Sequence, residues 1–111
     1  MVGEKDLNMA LLLDFYGAML TEKQQDIIDL YYNQDLSLGE ISEHAGITRQ
    51  GVRDCIKRGE QTMSELEEKL MLHKKYDELE DIADELERIA GKDERFGAEI
   101  MKLSAKLREI L

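Results

Sequence analysis

Residues 37–58, SLGEISEHAGITRQGVRDCIKR, leave this chain few ways to fold. Ser37 followed three residues later by Glu40 is a capping-box pattern that starts a helix. Gly46 suits the positive φ of a tight turn, and Thr48 is placed to cap a second helix. Two short helices joined at a steep angle by three or four residues make a helix-turn-helix. In that arrangement Ile41 and Ala45 face inward from the first helix and Ile47 plugs the junction. Val52, Cys55 and Ile56 anchor the second helix from below. Helical spacing then leaves Thr48, Arg49, Gln50, Arg53, Asp54, Lys57 and Arg58 at its exposed start or on outward and flanking positions.

Charge gives that outward face its meaning. The 111-residue chain has a formal net charge of −10, which by itself disfavours a polyanionic partner. Its distribution is uneven: residues 1–48 sum to −7, 49–58 to +3, 59–90 to −7 and 91–111 to +1. The main positive island therefore coincides with the second helix of the motif.

The rest of the composition favours helices throughout. Proline is absent, and Leu, Ile, Glu, Lys, Ala and Met dominate, so the expected fold class is all-α. A chain of this length makes one domain, or one domain with an appendage, and buries a modest core. The single cysteine cannot form an intrachain disulfide, and no N-terminal series resembles a signal peptide. The apolar run at residues 9–13 is far shorter than the ~20 residues a membrane helix needs. The expected location is the cytoplasm.

Leu7, Leu11, Leu12, Phe15, Met19 and Leu20 recur at helical spacing, with Asp6 available as a cap, and predict a first helix. Thr21 and Gln24 form another capping box before Ile27, Ile28, Leu30, Tyr31 and Tyr32, a second helix that ends at Asn33, Gln34 and Asp35. From Arg49 the stripe Val52, Ile56, Met63, Leu66 and Leu70 runs on, with Gly59 a soft point. It slips phase near residues 71–75 and resumes as Leu72, Tyr76, Leu79, Ala83, Leu86 and Ala90. Gly91, Lys92 and Asp93 break it, with Asp93 suited to capping a last helix whose apolar face is Phe96, Ile100, Leu103, Leu107 and Leu111. These narrow stripes cover each other in an antiparallel hairpin or pair with a second subunit as in a coiled coil, and the two arrangements are compatible. The expected division is a helix-turn-helix domain over residues 1–70 and a helical hairpin or oligomerisation arm over 71–111.

The outward residues of the motif are of the types that read duplex DNA. In the major groove Arg bonds guanine in a bidentate manner and Gln does so with adenine, each worth roughly 1–3 kcal/mol of discrimination. Arg49, Gln50 and Arg53 are the expected base readers, with Asp54 beside them. Thr48, at a helix N-terminus, and Lys57 and Arg58 are placed for backbone phosphates. One short basic helix on an acidic body makes few phosphate contacts, so a homodimer presenting two such helices is the expected binding form.

At these residues the chain resembles the YlxM family of small helix-turn-helix proteins and, more distantly, region 4 of bacterial sigma factors. The matching stretches are Leu13-Asp14-Phe15-Tyr16-Gly17, Leu20-Thr21-Glu22-Lys23-Gln24-Gln25, Leu30-Tyr31-Tyr32, Leu36-Ser37-Leu38-Gly39-Glu40-Ile41, Thr48-Arg49-Gln50 and Ile56-Lys57-Arg58. They cover about residues 7–70. The resemblance implies a sigma-region-4-like fold, DNA binding with a regulatory role, and a link to the signal recognition particle pathway, beside whose GTPase such proteins are typically encoded. The alternative, second to DNA binding, is a protein-interaction module whose acidic helices dock a basic partner, for which the resemblance makes a component of that particle the candidate. Gly51 and Arg53 stand where the family pattern has alanine and tyrosine. After Leu72 the match extends only to acidic, helical character.

Other residue types point to no further chemistry. Cys55 falls on the inward stripe as a small apolar residue, and His44 and His73 have no spaced Cys or carboxylate partners, so neither metal nor cofactor is expected. The carboxylate clusters Glu65, Glu67, Glu68 and Asp77, Glu78, Glu80, Asp81 are interleaved with lysine and arginine as solvated helix faces, which argues against an enzyme. Most of Tyr16, Tyr31 and Tyr32 are expected in the core, and the six methionines are scattered.

Overall fold

Three of the helices begin where a side chain satisfies their first free N–H groups. Thr21 Oγ1 accepts from the Gln24 amide at 3.1 Å while Gln24 Oε1 accepts from the Thr21 amide at 3.1 Å. Ser37 and Glu40 repeat the exchange at 3.1 and 3.0 Å. Thr48 accepts from the Gly51 amide at 3.0 Å. In the computed structural model, which describes residues 7–111, these caps start three of six α-helices. The helices are α1 (Leu7–Tyr16), α2 (Glu22–Tyr32), α3 (Leu38–Ala45), α4 (Arg49–Leu70), α5 (Leu72–Ala90) and α6 (Gly97–Ile110), with a 3-10 turn at Gly17–Met19. No strand occurs among the described residues, and the fold is all-α. Asp6, the expected first cap, lies outside them.

The chain divides into two compact units, Met1–Met71 and Leu72–Leu111. In the first, α4 packs against α1, α2 and α3. Its core joins Leu12, Leu13, Tyr16 and Leu20 to Ile27, Ile28, Tyr31, Ile41, Val52, Ile56 and Met63. Buried tyrosines keep their hydroxyls satisfied: Tyr16 donates to Glu67 Oε1 at 2.6 Å, and the half-buried Tyr32 donates to Glu60.

One inward assignment differs from expectation, and the apolar series of the first helix is only partly buried. Leu7, Leu11 and Met19 are exposed, Leu7 by 81%, because α1 is apolar almost all round and its buried side is Leu12, Leu13 and Tyr16. The 3-10 turn after Tyr16 then changes the phase and brings in Leu20 instead of Met19. Ala45 is also exposed: α3 ends there, Gly46 turns the chain at φ 69°, and the partly buried Ile47 fills the junction. The Ser42 hydroxyl donates to the Ile47 carbonyl and ties the turn back onto α3.

Gly59 is a contact and not a soft point. It is buried, and a Cβ there would lie 2.1 Å from Ile28 Cδ1, so its missing side chain is what lets α2 approach α4. The helix continues unbroken to Leu70, where Met71 takes the left-handed conformation at φ 55°. That residue accounts for the phase slip in the stripe.

In the second unit α5 and α6 form an antiparallel hairpin. Ser104 Oγ donates to Glu87 Oε2 at 2.6 Å and lies 3.4 Å from the Ala83 carbonyl. Arg108 reaches Glu87 Oε2 through Nε at 2.8 Å and Asp84 Oδ1 through Nη2 at 2.6 Å. Asp93 Oδ1 accepts from the Arg95 and Phe96 amides, capping the turn that leads into α6 at Gly97. The stripes do not simply cover each other, however. The buried residues are Ala83, Ala90, Gly97 and Ser104, whereas Leu79, Phe96 and Leu103 remain exposed.

Candidate nucleic-acid interface

The first ten residues of α4 carry the whole positive island, and its burial pattern decides which side faces out. Val52, Ile56 and Gly59 lie in the core, with Cys55 half-buried beside them. Arg49, Gln50, Arg53, Asp54, Lys57 and Arg58 are all exposed, as is Thr48 at the cap. At about 100° per residue these six cover roughly half the helix circumference. Fold geometry thus gathers four cations and one carboxylate on a single surface.

Arg49 is the most constrained of them. Its guanidinium lies across the first turn of α3, so close that a Cβ on Gly39 would stand 3.0 Å from Nη2. Gly39 therefore makes room for a charged group that bridges both helices of the motif. Arg49, Gln50 and Arg53 line one wall of an open cleft of about 410 Å³, and Ser37, Leu38 and Gly39 line the other. The last three were not among the site residues expected from sequence. The glycine two residues after the Ser37 cap was the available signal, since nothing in an exposed first turn otherwise calls for one.

Gln50 Nε2 donates to Asp54 Oδ1 at 2.9 Å, one turn along. That bond fixes the amide plane and uses one of the two N–H donors of the Gln50 side chain. Lys57 and Arg58 continue the positive surface along α4 beyond the cleft. Gly51 sits behind the Thr48 cap, where a Cβ would meet Thr48 Oγ1 at 3.2 Å.

Burial pushes the Cys55 thiol above its ordinary range, against the lowering effect of Lys23 and Arg58, so it is a poor nucleophile. His44 is exposed, and His73 Nε2 lies 3.5 Å from Asp77. Among the described residues no group of three or more His, Cys, Asp or Glu side chains is arranged to hold a metal ion. None of the described helices is long and apolar enough to cross a membrane.

A family model described as "Putative helix-turn-helix protein, YlxM / p13 like" matches residues 3–103. The chain belongs to the UPF0122 family. The match runs through α5 and into α6, so the family likeness reaches well past the helix-turn-helix that first indicated it. A UPF0122 protein of Acetivibrio thermocellus is 56% identical over 73 residues, covering 66% of this chain and 62% of the relative. One of Desulforamulus reducens is 58% identical over 66 residues, covering 60% and 56%. A Bacillus cereus relative is 51% identical over 75 residues, covering 68% of each. The matched stretch thus spans about three fifths of the length of the first two relatives. UPF0122 membership and the geometry of α3 and α4 agree on a helix-turn-helix protein, a class suited to binding DNA.

Proposed function

We propose that this protein is a DNA-binding regulator that inserts α4 into the major groove of a duplex. Arg49, Gln50 and Arg53 read base edges, Asp54 orients Gln50, and Thr48, Lys57 and Arg58 set the register on phosphates. The observation that carries this reading is the concentration of exposed cations on the second helix of the motif, in a chain whose net charge is −10. Acidic surroundings repel the duplex elsewhere and orient the encounter toward α4. Two copies acting as a homodimer double the phosphate contacts. The working location is the cytoplasm, and the regulated process is the signal recognition particle pathway.

Duplex binding measured by fluorescence anisotropy across a salt series tests the reading. With Lys57 and Arg58 on phosphates, log affinity should fall against log salt with a slope of about −2 per copy. Arg49→Ala with Arg53→Ala should flatten the preference among duplex sequences and weaken binding by at least about 100-fold. Salt-independent binding, or identical curves for both proteins, would contradict it.

The charge of α5 favours a second reading. Seven acidic residues against three basic ones make this helix a surface for a basic protein partner, with a signal recognition particle component as the occupant. Co-purification with that particle's GTPase, together with no duplex binding at low salt, would select this reading over the first.

A further inference from the structure

The hairpin is built inside out for a structure that stands alone. Its fully buried seam holds the smallest side chains, Ala83, Ala90, Gly97 and Ser104, while its large apolar residues are half-buried, as Leu86, Ile100 and Leu107 are, or exposed. Ile82 is 52% exposed, Leu103 65% and Ile110 83%, with Leu79, Ile89 and Phe96 also exposed. Helical spacing puts Leu79, Ile82, Leu86 and Ile89 on one side of α5, and Phe96, Ile100, Leu103, Leu107 and Ile110 on one side of α6. The polar clasp of Asp84, Glu87 and Arg108 marks the opposite side of the pair. In an antiparallel pair this places both apolar rows on the same face. The exposed parts of the six residues named first as exposed come to roughly 600 Å² per copy, at the top of the range of ~300–600 Å² for the largest apolar patch on a monomer and approaching the ~800 Å² per partner of a standard interface.

We infer that this face binds a second copy of the chain, the two hairpins closing into a four-helix bundle with α5 of each packed on α6 of the other. Charge selects the second copy and the pairing. α5 carries seven acidic and three basic residues, whereas α6 carries two acidic and three basic. Stacking α5 on α5 would oppose Glu78 and Glu85 with their own copies. Stacking α5 on the partner's α6 sets them toward Lys102 and Lys106, which border Leu103. Small residues in each hairpin seam and large ones between hairpins give the layered packing of a bundle. The two-fold axis then runs along the helices, so both chains enter the bundle at Leu72 from the same end. The inference rests on the homodimer in the DNA-binding reading.

Sedimentation of the full chain without DNA tests it. The wild type should run as a dimer of a 12.8 kDa chain at micromolar concentration. Ile82→Glu with Leu103→Glu should weaken the dimer by about 100-fold or more while helical circular dichroism is retained, since both side chains are exposed in the single copy. Lys102→Glu with Lys106→Glu should weaken it about tenfold, and adding Glu78→Lys with Glu85→Lys to the same chain should restore it. A wild-type monomer at 100 µM, or a dimer indifferent to the Ile82 and Leu103 changes, would overturn the inference. A dimer sensitive to those changes but not rescued by the charge swap would overturn the α5-on-α6 pairing. Arg49→Ala with Arg53→Ala should remain dimeric, so loss of DNA binding and loss of dimerisation are separately visible.

Discussion

Three glycines show how much of this fold is decided by a missing side chain. A Cβ on Gly97 would stand 2.3 Å from the Ala90 carbonyl oxygen, a backbone atom held by the hairpin corner. Gly97→Ala should therefore cost about 1–3 kcal/mol in urea unfolding of the second unit. At Gly59 the obstacle is the Cδ1 of a fully buried Ile28. Gly59→Ala and Ile28→Val should couple favourably by about 1 kcal/mol in a double-mutant cycle, because valine lacks that atom. Gly39 differs, since the group it accommodates is the mobile end of Arg49. Gly39→Ala should leave stability within about 0.5 kcal/mol of wild type and lower duplex affinity by moving the guanidinium. Equal losses of stability and affinity would place Gly39 in the fold alone.

At the scale of the helix, the clasp between α5 and α6 sets an acid limit. Hydrogen bonds from Arg108 and then Ser104 hold the Glu87 carboxyl down at about 2, from an ordinary value of 4.5. A depressed folded-state pKa gives stability that is complete above the unfolded value and disappears as pH falls through the folded one. The hairpin should thus weaken as pH drops from about 4.5 to about 2, and Glu87→Gln should remove much of that dependence from acid titrations followed by circular dichroism. Such long-range partners were invisible in the sequence, whereas local ones were plain. The Thr21–Gln24 and Ser37–Glu40 boxes, the Thr48 cap and the Gly46 turn each depend on residues a few positions apart, and each is where the spacing put it. Choosing a buried face was harder where apolar residues encircle a helix, as in α1, or occupy two faces, as in α5 and α6. There the side that is buried depends on which element packs against it, so Leu7, Leu11 and Met19 are exposed although they share the apolar spacing of the first helix.

Across the whole molecule, charge segregation organises the candidate site. The exposed residues of the motif were legible because cations stood out against an acidic chain, and their outward side followed from the apolar stripe beneath them. The opposing wall of the cleft, from Ser37 to Gly39, was not, because it is created by the angle between α3 and α4. A titration of ¹⁵N-labelled protein with duplex DNA, followed by amide chemical shifts, tests the DNA-binding reading most directly. It should move residues 48–58, the cap and start of α4, and residues 37–39, the cap and start of α3, at low salt and leave the acidic face of α5 unmoved. Shifts confined to α5 and α6, or none at any salt concentration, would contradict it.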